Sequence, residues 1–104
     1  MKFHIHEQAH DEAVGGAIYF NSKQSGLGEI FTSQVLQAFE QIEEAPRLFA
    51  KLESTTLEGE IRRVILKRFS YLVIYEIQPD LIEVLAVTHA SREPDYWAER
   101  RGEE

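Results

Sequence analysis

Two groups of residues in the C-terminal half could together act on a phosphate group. Residues 62–68 contain three arginines and a lysine, and His89 and Arg92 follow further along the chain. Arginine binds phosphate oxygens through two parallel hydrogen bonds, and histidine exchanges a proton near neutral pH. A metal-free ribonuclease needs these functions, because it must activate a 2′-hydroxyl, stabilise the phosphorane and protonate the leaving oxygen. If neighbouring strands bring the two groups together, RNA cleavage is a candidate function.

The same cations could instead pair with acidic neighbours. The chain has 18 acidic against 11 basic residues and a net charge of −7. Proteins gain most of their non-specific affinity for nucleic acids from cations that neutralise phosphates, so a chain this acidic repels DNA and RNA overall. Residue types alone therefore favour a structural role for the basic segment.

A second candidate for chemistry is the pair His4 and His6. Alternate positions of a strand place both imidazoles on one face, a spacing that metal sites use. No third ligand stands at a fixed offset, and the chain has no cysteine, which excludes a thiolate site and a disulfide framework. We therefore predict neither a metal site nor a cofactor.

The apolar pattern predicts the elements that position these residues. Phe3 and Ile5 alternate with histidines, which indicates a short first strand. Two amphipathic helices follow, the first capped by Asp11 and the second ended by Pro46. Residues 61–89 then form three β-branched runs with short connections, so we expect an antiparallel three-stranded meander. The predicted fold class is α+β, with the helical hairpin on one face of a sheet of about four strands.

Length and hydropathy indicate the number of domains and the cellular location of the protein. A chain of 104 residues forms one domain, here residues 1–104. No apolar run is long enough to cross a membrane, and the N-terminus does not resemble a signal peptide. We predict a cytoplasmic protein with no membrane partner.

The face of the sheet opposite the helices is predicted to be apolar and uncovered. Alternation places four side chains on it, namely Leu72, Ile74, Leu85 and Val87. An exposed apolar face of this kind is typical of a protein-binding surface. Arg92, Tyr96 and Trp97 extend this predicted interface, since aromatic residues beside arginine are enriched at binding hot spots. Alternatively, Trp97 closes the core at the end of the chain.

The order of elements and the C-terminal motif resemble the RelE/ParE superfamily of toxins from type II toxin–antitoxin systems. The motif comprises Arg62–Leu66, Phe69–Tyr71, Val73–Tyr75, Ile82–Val87 and the segment 89–97, HASREPDYW. The resemblance covers almost the whole chain and is greatest for ParE-like plasmid stabilisation proteins. It implies a growth-inhibiting toxin that a cognate antitoxin neutralises by wrapping around it, as a homodimer or a toxin–antitoxin heterotetramer.

The resemblance leaves two targets open. ParE-type members inhibit DNA gyrase without catalysis, whereas RelE-type members cut mRNA on the ribosome. For the second activity, Arg63, His89 and Arg92 match the catalytic positions. However, Leu72 replaces a frequent arginine, and Glu53–Glu60 replaces a lysine-rich region. These departures favour a ParE-like inhibitor over a ribonuclease, and a third hypothesis is a homologue that has lost its toxicity.

Overall fold

The fold is one four-stranded sheet with a helical hairpin packed on one face, as the computed structural model of residues 1–102 shows. The predicted α+β class is confirmed. The elements in chain order are β1 (Lys2–Ile5), α1 (Glu7–Lys23), α2 (Leu27–Glu44), β2 (Glu60–Leu66), β3 (Tyr71–Ile77) and β4 (Leu81–His89). Single 3₁₀ turns lie at Lys67–Phe69 and Ala98–Arg100.

The strands stand in the order β1-β4-β3-β2. β2, β3 and β4 form the predicted antiparallel meander, and residues 78–80 make the tight turn between its last two strands. β1 pairs in parallel with β4, because the helical hairpin carries the chain back across the sheet between β1 and the meander. The central strands β3 and β4 therefore lie between two edge strands.

The helices bury one apolar stripe each. In α2 the spacing predicts an apolar stripe of five residues, Phe31, Val35, Ala38, Phe39 and Ile42. Four of them are buried, and Phe39 is half-buried against the same core. α1 begins earlier than predicted, at Glu7, because the Nδ1 atom of His6 accepts a hydrogen bond from the backbone of Gln8 at 3.1 Å. The cap predicted at Asp11 is therefore wrong, since a ring nitrogen provided the N-terminal acceptor instead.

Two glycines set the distance between the helices. A Cβ atom at Gly28 would lie 2.3 Å from the carbonyl oxygen of Ala17, and one at Gly16 would lie 2.8 Å from the ring of Phe31. Gly15, in contrast, faces open space. The close packing of α1 on α2 therefore needs Gly16 and Gly28 but not Gly15.

Substitution of Gly28 by alanine should lower the free energy of unfolding by about 1–3 kcal/mol, because overpacking against a backbone atom forces the helices apart. Gly15→Ala is the matched control, and it should stabilise the exposed side of α1 by up to about 1 kcal/mol. Urea denaturation of both variants tests this contrast. Equal stabilities would contradict the role assigned to Gly28.

A β-bulge in β4 corrects the predicted assignment of faces. Tyr75 pairs with Val84 and Ile74 pairs with Ala86, so Leu85 is an extra residue with no partner on β3. The side chains after a bulge point to the opposite face from the one that simple alternation gives. Val87 consequently packs in the core beneath the helices and not on the far face.

The prediction of an uncovered apolar face is wrong. Ile74, Leu85 and Val87 are 3%, 0% and 1% exposed, and Leu72 is half-buried. Two segments of the same chain cover the face opposite the helices, and they contribute Leu52, Leu57, Tyr96 and Trp97 to a second apolar cluster. Trp97 is 1% exposed, so its interpretation as a core residue at the chain end is confirmed.

Candidate functional site

The three residues predicted for catalysis do not share one site. Arg63 pairs with Ile74, and the neighbour of Ile74 on β4 is Ala86, three residues before His89. Arg63 and His89 are therefore separated by about 10 Å along the strands and by about 10 Å across the sheet. Arg63 also lies on the face opposite the helices with Ile74, whereas His89 pairs with Tyr71 and its ring contacts that of Tyr71. Arg63 therefore cannot act with His89 on one bond.

The basic segment divides into a structural part and a surface part. Arg62 donates to the carbonyl oxygen of Phe49 at 2.5 Å and to Glu60 at 3.0 Å, and Arg47 binds the same carboxylate at 2.9 Å. Arg62 thus ties β2 to the segment after α2, as the acid-pairing interpretation predicted. Lys67 and Arg68 lie instead in the exposed turn between β2 and β3.

The turn after β2 meets the end of β4. The backbone N–H of Ala90 donates to the carbonyl oxygen of Ser70 at 2.7 Å, which joins the two segments. We call this surface the basic end, and it comprises Lys67, Arg68, His89 and Arg92. All four side chains are exposed, and none forms an ion pair within residues 1–102. A chain of net charge −7 thus presents a local cationic surface.

His89 has a defined orientation at the basic end. Its Nδ1 atom accepts a hydrogen bond from the backbone N–H of Ser91 at 3.1 Å and lies 2.7 Å from the Ser91 hydroxyl. An Nδ1 atom that accepts leaves the proton of the neutral ring on Nε2. Nε2 is therefore the atom of His89 that can donate to a bound group.

Arg92 is held against an aromatic ring. Its guanidinium carbon lies 3.9 Å from the centre of the Tyr96 ring, and that of Arg100 lies 5.0 Å from the same ring. The Tyr96 hydroxyl donates to Glu12 at 2.5 Å. Burial, together with the hydrogen bond to Glu12, raises the pKa of Tyr96 to about 12. Tyr96 is thus a neutral donor at physiological pH and gives Arg92 a fixed support.

Glu12 is a residue that sequence analysis missed. Its two carboxylate oxygens accept hydrogen bonds from both terminal nitrogens of Arg100 at 2.8 and 3.1 Å, and from the backbone N–H of Val87 at 3.0 Å. Arg100 also donates to the carbonyl oxygen of Leu85 at 2.9 Å. We call Glu12, Tyr96 and Arg100 the Glu12 network. It provides hydrogen-bond partners for the backbone of β4 at the bulge, where β1 has ended and no longer pairs with β4. No signal in the sequence marks Glu12, because an acid in a helix is usually solvated.

Two glutamates face each other on the side of the sheet opposite the helices. Arg101 binds Glu76 at 2.7 Å, whereas the neighbouring Glu83 is 2% exposed and its Oε1 atom has no hydrogen-bond partner within residues 1–102. His4 is 3.9 Å from Glu83. Burial raises the pKa of Glu83, with His4 acting in the opposite direction. The carboxylate of Glu83 therefore destabilises the fold when it is ionised.

Substitution of Glu83 by glutamine should raise the melting temperature at pH 7 by roughly 4 °C, as about 1 kcal/mol does in a domain of this size. A carboxyl whose pKa is raised on folding loses stability as pH rises through that pKa. The advantage of Glu83→Gln should therefore shrink as pH falls toward the ordinary range of glutamate. Calorimetry from pH 4 to 8 measures this, and a constant difference across that range would contradict the prediction.

Comparison with known proteins identifies the family of this chain. The family model described as "ParE toxin of type II toxin-antitoxin system, parDE" matches residues 12–94. The chain belongs to the ParE toxin family. This match begins at Glu12 and ends just after Arg92, so it includes most of the helical hairpin, the meander and the basic end.

Two solved structures resemble this ParE toxin. One is described as the chromosomal ParDE system from P. aeruginosa, with a TM-score of 0.63, 13% identity, and coverage of 86% of this chain and 95% of the other. The second is the isolated E. coli RelE toxin, with a TM-score of 0.58, 20% identity, and coverage of 94% and 93%. At these identities the structures show the shared fold. No curated protein matches the sequence.

Family membership establishes part of the predicted function. The protein is the toxin of a type II toxin–antitoxin system, and its partner is a cognate antitoxin. His4 and His6 do not converge with a third ligand, and residues 1–102 contain no cluster of three side chains suited to a metal ion. Within the same residues, no helix has the length and hydropathy needed to span a bilayer.

Proposed function

We propose that this ParE toxin arrests growth in the cytoplasm by binding a protein target, such as DNA gyrase, and that it does not cut RNA. The separation of Arg63 from His89 carries this proposal. A ribonuclease needs a base, an acid and a phosphate ligand around one scissile bond. Here Arg63 lies on one face of the sheet and His89 belongs to the other.

The basic end supports binding rather than catalysis. Arg92 is exposed and stacked on Tyr96, which gives it little conformational freedom to lose on binding. Arginine and tyrosine are the residue types that dominate hot spots in protein interfaces. Lys67 and Arg68 add exposed positive charge at the same end of the sheet, which would favour encounter with an acidic surface of the target.

Expression of the toxin without its antitoxin tests the proposal. We expect growth arrest, with DNA breaks and gyrase trapped on DNA. Co-expression of the antitoxin should restore growth. Cut transcripts with intact DNA would instead favour a RelE-like endoribonuclease that uses His89 and Arg92, and no arrest would favour a homologue without toxicity.

The oligomeric state is a further part of the proposal. ParE-like toxins are expected to form a homodimer or, with the antitoxin, a heterotetramer. Light scattering on the toxin alone and on the complex distinguishes these states.

A further inference from the structure

The buried carboxylate of Glu83 lacks a counter-charge of its own. The residue is 2% exposed, and its Oε1 atom has no hydrogen-bond partner within residues 1–102. His4 approaches the other oxygen, Oε2, at 3.9 Å, which is too long for a hydrogen bond. Glu76, the neighbour of Glu83 on β3, is in contrast bound by Arg101 at 2.7 Å. Buried polar atoms without a partner are rare in native proteins, so the Oε1 atom calls for an explanation.

The environment of Glu83 is that of a ligand site. Burial raises the pKa of Glu83, and His4 and the backbone of Gly102 offset this only in part. An acid with a perturbed pKa that borders a cleft is a candidate for binding a ligand. A group that donates to Oε1 and carries a positive charge would remove the cost of this buried carboxylate.

Glu83 lines a cavity at the outer edge of β1, which we call the β1 cavity. It measures about 740 Å³, within the range of about 300–1,000 Å³ that is usual for small-molecule sites. Its lining includes Lys2, Phe3, His4, Glu43, Leu81 and Glu83. Because β1 is an edge strand, a ligand can reach the β1 cavity from the side away from β4.

The two acids of the β1 cavity come from different faces of the sheet. Glu83 lies on the face opposite the helices, whereas Glu43 belongs to the last turn of α2. Glu43 is exposed and forms no ion pair within residues 1–102. The two carboxylates therefore do not converge on one point, as a metal ion would require. Phe3 and Leu81 add apolar lining, so a ligand with separated positive charges and an apolar chain complements the β1 cavity.

We infer that the β1 cavity binds an aliphatic polyamine, of which one ammonium group donates to Oε1 of Glu83 and a second binds the carboxylate of Glu43. The methylene groups between the two pack on Phe3 and Leu81. An ammonium group has three donors and no acceptor, which matches a carboxylate oxygen without a donor. Because the ligand binds the folded chain, it stabilises the toxin against unfolding. Neither the antitoxin nor the growth target takes part in this binding.

Thermal denaturation and calorimetry of the purified toxin with spermidine test the inference. At constant ionic strength and saturating spermidine, we expect the melting temperature to rise by several degrees. n-Butylamine has a single ammonium group and should bind about 5-fold more weakly, since it lacks the exposed ion pair with Glu43. Ionic strength is held constant because a chain of net charge −7 attracts any cation.

Three glutamine substitutions locate the site. Glu83→Gln should weaken spermidine binding at least about 10-fold, because it removes a charged acceptor. This variant is expected to be more stable than the original protein, so weaker binding cannot result from unfolding. Glu43→Gln should weaken binding about 5-fold. Glu40→Gln is the matched control, because Glu40 is exposed one turn earlier in α2 and does not line the β1 cavity. Its affinity should be unchanged.

Three results would overturn the inference. They are an unchanged melting temperature in spermidine, equal affinity of the original protein and Glu83→Gln, and equal affinity for spermidine and n-butylamine. The second result would show that spermidine binds the acidic surface without a defined site. Growth arrest after induction tests the proposed function separately, because Glu83 and Glu43 do not belong to the basic end.

Discussion

Substitution of Glu12 by alanine is expected to lower the free energy of unfolding by about 3–5 kcal/mol, the usual cost of removing one partner of a buried ion pair. Arg100 would keep a charge that is 9% exposed without its carboxylate, and the Tyr96 hydroxyl and Val87 N–H would lose their acceptor. This is a large fraction of the stability of a small domain. Chemical denaturation followed by far-UV circular dichroism measures the loss.

Asp11→Ala is the matched control for Glu12→Ala. Asp11 is the neighbouring acid on α1, but it is exposed, and its ion pair within residues 1–102 is with the imidazole of His10 at 3.7 Å. Its removal should therefore change stability by less than about 0.5 kcal/mol. Arg100→Ala should resemble Glu12→Ala, and the double variant should lose less than the sum of the two. Additive losses would show that Glu12 and Arg100 act independently.

Substitution of Arg92 by alanine is expected to relieve growth arrest, because it removes the cation of the basic end that the Tyr96 ring holds in place. A hot-spot arginine contributes at least about 2 kcal/mol to binding, which corresponds to about 30-fold in affinity for the target. Stability should change little, since the side chain is exposed and packs on the surface of the Tyr96 ring. Growth after induction and affinity for gyrase are the two measurements.

Arg92→Lys separates charge from geometry. Lysine keeps the positive charge but cannot stack a planar group on Tyr96. We expect an intermediate loss of toxicity, and Lys51→Ala, an exposed cation away from the basic end, should remain fully toxic. If Arg92→Ala arrests growth like the original protein, Arg92 does not belong to the target-binding surface.

The sequence was sufficient for the order of elements and for most of the core. Alternation in β3 places Tyr71, Val73, Tyr75 and Ile77 on one face of the strand, and all four pack in or against the core beneath the helices. The stripe of α2 likewise predicted its buried residues. These predictions succeeded because local periodicity and the main apolar core agree along these elements.

The packing on the face of the sheet opposite the helices could not be predicted, because it depends on residues far apart in the sequence. One extra residue at Leu85 reverses the orientation of the side chains after it, and no residue type marks this bulge. The cover provided by Leu52, Leu57 and Trp97 comes from segments with little periodicity. Glu12 likewise has a structural role because of its hydrogen bonds to Tyr96 and Arg100, which lie far from it in the sequence. For the candidate site, sequence analysis named His89 and Arg92, whose role stays a prediction, but not the geometry that holds them.

The long-range character of the Glu12 network has a kinetic consequence. Glu12 lies 84 positions from Tyr96 and 88 from Arg100, so closure of this loop costs more conformational entropy than formation of the hairpin or the meander. We expect the contacts of Glu12 to form last during refolding and to break first during thermal fluctuations. The end of the chain would then detach as a unit while the rest of the molecule stays folded, and amides near Trp97 would exchange faster than those of β3.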